Sequence, residues 1–240
     1  MNLVAITEER GITTLALDSP ATRNALSAAL VTELADALTA CGKDPAVRAV
    51  VLGHTGTTFS AGADLKGPPS PYAFVDLLRQ IVALPKPVVG HVTGHARAGG
   101  LGLLGACDLV AAAPTADFAL TEVRIGVAPT VISLTLLPRL EPRAAARLFL
   151  TGERFGLPEA LAAGLVTAGD DELPGILDAL RAASPQGLRE AKRLVTARVL
   201  ETFERDAEDL VRRSATLFAS AEAREGMTAF LERRDPAWRL

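Results

Sequence analysis

Aromatic residues are scarce, with one Trp, one Tyr and eight Phe, 4% of 240 positions. A core built from this chain is therefore mostly Ala, Leu and Val, and a hydrophobic content of 49% is enough to make a sizeable one. Cysteine is nearly missing. The two present, Cys41 and Cys107, sit in apolar, helical-looking contexts and read as buried thiols in a reducing compartment rather than a disulfide framework. No cluster of Lys and Arg forms a basic stripe, and 25 basic against 28 acidic residues leave a formal charge of −3. That removes the usual footprint of a nucleic-acid binder and any electrostatic reason to adsorb to a membrane. No apolar stretch is long enough to span a bilayer; the longest, around 101–113, is broken by Asp108. The N-terminus lacks a basic segment followed by an apolar run, so no signal peptide is expected. The three histidines, His54, His91 and His95, lack ligand spacing on any one element, and no metal is expected. The expectation is a soluble, cytoplasmic protein without nucleic-acid or membrane partners.

What is present alternates strand and helix signals. Residues 2–7 and 12–17 alternate apolar and polar positions around 8–11, a hairpin pattern. Helical spacing over 25–41 predicts a helix with Gly42 just past its end. Residues 48–52 read as a buried strand, 72–84 as a helix stopped by Pro85, and 87–92 as a strand. A small-residue helix over 99–107 and a strand over 108–113 follow. From Glu141 onward strands become scarce. Pro142 and Pro185 suit first helical positions, Ser184 an N-cap, and Ser220 the cap of a last helix through Arg233. The reading is an α/β layered core followed by a helical final third, with no internal repeat in the sequence.

Three segments carry possible chemistry: FSAGADLK (59–66), GHARAGGLGLLGACDLV (94–110) and FALTEVRIGVAP (118–129). Taken singly, each has an ordinary reading as a turn, a packing glycine pair or a solvated Glu. In this order and spacing they resemble the crotonase (enoyl-CoA hydratase/isomerase) family. The similarity runs from SPATRNALS (19–27) to EAREGMTAFLERRDPAW (222–238), nearly the whole chain. It implies a spiral ββα core, taken as 1–180, and a C-terminal helical region, 181–240, engaged in trimer packing.

The resemblance also implies the chemistry. Charge develops on a thioester oxygen, and two backbone N–H groups stabilise it. By resemblance these belong to Ala63 and Gly99, the latter at a helix start whose dipole points at the anion. Glu122 matches the acid/base carboxylate. On a strand, Arg124 would share its face and could pair with it; a catalytic role is the preferred reading. The family's hydratases place another Glu on the helix after the Gly-Gly pair, and Gly102 stands there instead. The coenzyme is part of the substrate, an acyl-CoA thioester, so no separate cofactor is implied. Its contacts fall by resemblance on Ala21, Arg23, Ala61, Asp64, Leu65, Lys66, Gly100 and Gly102. Arg97, where the family tends to have an apolar residue, reads as a surface or ion-pair residue rather than a partner for a carboxylated acyl tail. TEVRIGVAPTVIS and RLFLTGERF resemble bacterial hydratases of the methylglutaconyl-CoA hydratase-like subgroup. The expected activity is hydration of a 2-enoyl-CoA. Double-bond isomerisation, which one carboxylate can also perform, and non-catalytic acyl-CoA binding stand as alternatives. A homotrimer or a dimer of trimers is the expected assembly.

Overall fold

The computed structural model describes residues 2–64 and 66–240. Strands β1 (Val4–Glu9) and β2 (Ile12–Leu17) form the expected hairpin. Its two-residue turn is Arg10–Gly11, both at positive φ, as a tight right-twisting hairpin requires. Helix α1 (Ala28–Lys43) starts after Ser27, whose hydroxyl accepts from the Leu30 N–H. It runs two residues past the expected end, so Gly42 lies inside the helix. There a Cβ would come within 3.1 Å of Leu84 Cδ1, so the glycine serves close packing and not a left-handed cap.

Then come β3 (Ala49–His54), β4 (Thr58–Ser60), α2 (Pro71–Ala83), β5 (Val88–Val92), β6 (His95–Arg97), α3 (Gly99–Ala106), β7 (Leu109–Ala112) and β8 (Asp117–Ala119). The remainder is α4 (Ser133–Leu136), α5 (Pro142–Thr151), β9 (Arg154–Gly156), α6 (Leu157–Ala162), β10 (Ala168–Gly169), α7 (Leu173–Ala182), α8 (Pro185–Phe218) and α9 (Ala221–Glu232). The expected caps are in place: Ser184 accepts from Gly187 N–H and Ser220 from Ala223 N–H.

Among the described residues the strands form two sheets. The larger has the order β1-β2-β3-β5-β7-β10, the smaller β4-β6-β8-β9. Each of β3, β5 and β7 in the first sheet is followed directly by β4, β6 or β8 in the second, and then by a helix or helical turn. The chain thus repeats a ββα unit and winds as a spiral, although the sequence shows no repeat.

Strand β3 is buried on both faces. Val50 and Leu52 join the main apolar cluster under α1, α2 and α3, while Ala49 and Val51 face Leu173, Leu177 and Leu180 around α7. This is the two-sided burial a parallel sheet demands. Helix α8 lies across α2 and α4 and contributes Val199, Phe203, Ala207 and Val211 to the same core.

One buried ion pair ties these layers. Lys192 Nζ of α8 sits 2.8 Å from Asp108 Oδ2. It also donates to the carbonyls of Ile81 (2.9 Å) and Lys86 (3.0 Å). Asp108 Oδ2 also accepts from Val88 N–H, and Asp108 Oδ1 is buried without a partner. Removing the ammonium leaves that carboxylate uncompensated in the interior. Lys192→Ala should therefore cost about 3–5 kcal/mol in urea unfolding. Lys192→Met with Asp108→Leu should cost clearly less, and equal losses would show that the pair is incidental.

Candidate active site

The three segments singled out from the sequence leave the small sheet side by side. Strands β4, β6 and β8 are neighbours and parallel, with Ser60 beside Ala96 and Ala96 beside Phe118. Residues 61–64, 98–99 and 120–125 follow their C-terminal ends. The crevice outside the carboxyl ends of parallel strands is where α/β sheets commonly place their sites.

The first segment is held against the loop before α1. Ala61 N–H donates to Arg23 C=O (3.0 Å), Leu26 N–H to Gly62 C=O (2.8 Å) and Asp64 N–H to Leu26 C=O (3.0 Å). Leu26 and Ala63 thus form a parallel bridge. In that geometry the N–H of Ala63 points away from Leu26, and among the described residues it has no partner. Asn24 anchors the arrangement. It is fully buried, its Nδ2 donates to the carbonyls of Thr55 (3.1 Å) and Thr58 (2.7 Å), and its Oδ1 accepts from Ser19 N–H (2.7 Å). Arg23 and Asn24 both adopt left-handed backbone, φ 57° and 50°. The sequence reading did not single out Asn24; an Asn in a polar turn was the available signal.

The second segment turns at Ala98, which has φ 47° and ψ −117°. Such backbone in a residue with a Cβ costs about 1–3 kcal/mol, and it persists where surrounding contacts impose it. Ala98 N–H donates to Ala119 C=O at the end of β8 (3.2 Å). The turn starts α3, so Gly99 N–H has no intrahelical acceptor and no other among the described residues. Gly62, at φ +92°, lies against this turn: a Cβ there would be 3.0 Å from Ala98 Cβ and 3.7 Å from Gly99 N. The loops of Ala63 and Gly99 are therefore adjacent. Nothing in the sequence marked Ala98, because an alanine carries no sign of its φ. A Cβ on Gly99 would lie 2.8 Å from Leu26 Cδ1 and 3.4 Å from Phe74 Cζ, so these side chains wall the amide with hydrocarbon.

The third segment is a 3-10 turn, Thr121–Ile125, and not a strand, because β8 already ends at Ala119. Gly126 (φ 76°) and Val127 close it by donating N–H groups to Glu122 C=O. Among the described residues no ion pair links Glu122 to Arg124, which is exposed. Instead Glu122 Oε2 is fully buried without a hydrogen-bond partner, although the residue as a whole keeps some exposure. Burial pushes its carboxyl up to about 7, and the only opposing influence is a backbone hydrogen bond. A carboxyl of that kind exists in both protonation states near neutrality, as proton transfer requires.

The remaining sequence candidates fall into two sets. Ala21, Arg23 and Lys66 are exposed, Ala61 and Asp64 half-buried, and Asp64 Oδ1 accepts from Lys66 N–H (2.9 Å). Leu65 lies outside the described residues. Gly100 and Gly102 are buried packing positions. A Cβ on Gly100 would be 3.0 Å from Ser60 Cβ. On Gly102 it would be 2.4 Å from Ile132 Cγ2, and on Gly105 2.9 Å from Leu136 Cδ2. Gly102 and Gly105 share the face of α3 that receives α4, and Thr135 Oγ1 donates to Gly102 C=O (2.9 Å). The space a side chain at 102 would enter holds Ile132. Arg97 is an ion-pair residue, with Nη2 2.6 Å from Asp117 Oδ1. Among the described residues no group of three or more His, Cys, Asp or Glu is placed to hold a metal, and no helix is long and apolar enough to cross a membrane.

Comparison with known proteins gives concordant matches. A family model described as "Enoyl-CoA hydratase/isomerase" matches residues 7–240. A Bacillus subtilis protein named a probable enoyl-CoA hydratase is 31% identical, over 100% of this chain and 99% of its own length. A carnitinyl-CoA dehydratase of Escherichia coli O157:H7 is 30% identical, over 98% of this chain and 97% of its own. Among solved structures, an enoyl-CoA hydratase from Mycobacterium avium superposes with a TM-score of 0.94 at 49% identity, covering 99% of both chains.

Proposed function

The chain belongs to the enoyl-CoA hydratase/isomerase family, and on that premise we propose that it adds water reversibly across the double bond of a 2-enoyl-CoA thioester. The observation that carries this reading is the buried Glu122 carboxyl, its Oε2 without a partner, on the loop after β8, beside the loops whose Ala63 and Gly99 amides have no acceptor among the described residues.

In the proposed reaction the thioester oxygen accepts from the N–H groups of Ala63 and Gly99. The Glu122 carboxylate takes a proton from water as the water oxygen bonds to C3. The C2–C3 π electrons move towards the thioester oxygen, whose developing charge the two amides stabilise. Glu122 then returns the proton to C2, which regenerates the carboxylate. The coenzyme's phosphates and pantetheine arm belong to the substrate. Arg23 and Lys66, exposed beside this loop pair, are the cations proposed to meet the phosphates. Ala21, Ala61, Asp64 and Leu65 are proposed to border the rest of the coenzyme. A cytoplasmic location and a trimeric or hexameric assembly belong to the same proposal; exposed Leu150, Leu194 and Val195 are surface such an assembly would bury.

A second reading is enoyl-CoA isomerisation, in which Glu122 moves a proton between C2 and C4. It is favoured by Gly102, whose neighbour Ile132 occupies the space a carboxylate side chain at 102 would need. The test is turnover of crotonyl-CoA and 3-methylglutaconyl-CoA, followed as loss of enoyl-thioester absorbance. Because Glu122 must be ionised to accept the proton from water, kcat/KM should fall as pH drops below about 7. Conversion of a 3-enoyl-CoA with no hydration of either substrate would replace the first reading by the second.

A further inference from the structure

Glu122 stands on a five-residue turn, too short to hold its own shape, and the last helix rests on that turn. The contact is backbone on backbone. A Cβ on Gly226 of α9 would lie 2.5 Å from the carbonyl carbon and oxygen of Ile125 and 2.6 Å from its Cα. A Cβ on Gly126 would lie 2.6 Å from the carbonyl carbon and oxygen of Glu222. Glu222 and Gly226 are one helical turn apart, so one face of α9 meets both residues that end the turn. That face is made of small, buried residues: Ala223, Gly226 and Ala229. The turn also meets Gly152 just after α5, where a Cβ would lie 3.0 Å from Leu120 O and 3.1 Å from Val123 Cγ2. The carboxylate-bearing turn therefore packs against both the end of α5 and the middle of α9.

Glycine inside a helix costs about 1 kcal/mol relative to alanine. Position 226 has that cost and returns close approach to Ile125. We infer that α9 is a working part of the active site in its own chain, holding the Glu122 turn in place, with Gly226 as the positioning residue. This rests on the catalytic reading of Glu122. It assigns to the C-terminal helix a role inside its own subunit, distinct from packing between subunits.

The charged groups around this contact are engaged elsewhere or exposed. On α9, Glu225 pairs with Arg234 and Arg224 donates to Ala219 C=O, while Glu222 is exposed. At the end of α5 Glu153 pairs with Arg147, and Arg124 on the turn itself is exposed. The environment of Glu122 is therefore set by burial and not by an ionic neighbour. Displacing the turn should admit water and shift its titration towards acid.

The experiment compares Gly226→Ala with Gly175→Ala, a helical glycine in α7 where an added methyl group would meet no atom of another element within 4 Å. Gly226→Ala should lower kcat by about 10²-fold, as misplacement by roughly 1 Å does. It should also move the acid limb of kcat/KM to lower pH and leave the Kd for butyryl-CoA unchanged. Gly175→Ala should match wild type in all three. In the wild-type protein, hydrogen exchange should show residues 121–127 and 221–232 opening as one unit. That measurement holds even if the alanine variant fails to fold, and it does not depend on which thioester is turned over. Independent opening of the two segments, or a folded Gly226→Ala with wild-type kcat and pH limb, would overturn the inference. An inactive wild type with coupled exchange would instead count against the catalytic reading on which it rests.

Discussion

Glu122→Gln should lower turnover of a 2-enoyl-CoA by about 10³-fold, within the range that a positioned acid/base group supplies. Thioester binding should be retained, because the coenzyme contacts proposed for residues 21–26 and 61–66 are untouched. The same change should make the protein more stable at alkaline pH. Burial raises the Glu122 carboxyl from 4.5 to about 7, so the folded state holds a proton that the unfolded chain releases above about 4.5. The wild type is therefore at full stability below that pH and loses stability as pH rises through about 7. The loss amounts to about 3 kcal/mol, from a shift of a few units at 1.36 kcal/mol each. Glutamine does not titrate. Urea unfolding at pH 5 and pH 8 should show the Gln variant's advantage growing by roughly that amount. A variant that keeps wild-type turnover would end the catalytic reading of Glu122. A constant stability difference across pH would mean that its carboxyl is solvated in solution.

Gly102→Glu should be among the most damaging single changes for folding. Its Cβ would fall 2.4 Å from Ile132 Cγ2 and 3.0 Å from Ile132 Cβ, at the seam where α3 meets α4. Overpacking at such a seam costs about 1–3 kcal/mol, and a buried carboxyl without a partner adds more. Loss of soluble protein, or a fall of about 3 kcal/mol or more in unfolding free energy, is the expected result. Ile132→Ala by itself should cost about 2–5 kcal/mol as a cavity. Combined with Gly102→Glu it should cost much less than the sum, because the deleted branch is the atom in collision. Additive losses would show that residues 102 and 132 do not compete for one space. The absence of a carboxylate at 102 is thus a property of two helices, not of one residue.

Much of this architecture is legible locally. Hairpin alternation, the serines at 184 and 220 that cap helices, and the prolines at first helical positions act through atoms a few residues apart. A linear pattern contains that information. Glu122, Ala63 and Gly99 were singled out through motif order rather than periodicity, and their roles remain part of the proposal. The burial of Glu122 was legible only as a possibility, since Arg124 two residues away offered it a partner on paper.

What the sequence by itself determined is the α/β class, the family resemblance and most element positions. The tertiary structure decided what those residues meet. The smaller sheet is made of three-residue strands, too short for any periodic signal, yet its parallel register sets the three loops side by side. The 3-10 turn under Glu122, the strained Ala98, the anchored Asn24, Ile132 in the space beside Gly102 and α9 seated on Ile125 all depend on partners far along the chain. Hydrogen bonds within one turn follow from neighbouring residues. Desolvation and exclusion of volume follow only from which distant surfaces come together, and here they raise the carboxyl's pKa and fill with Ile132 the space a side chain at 102 would take.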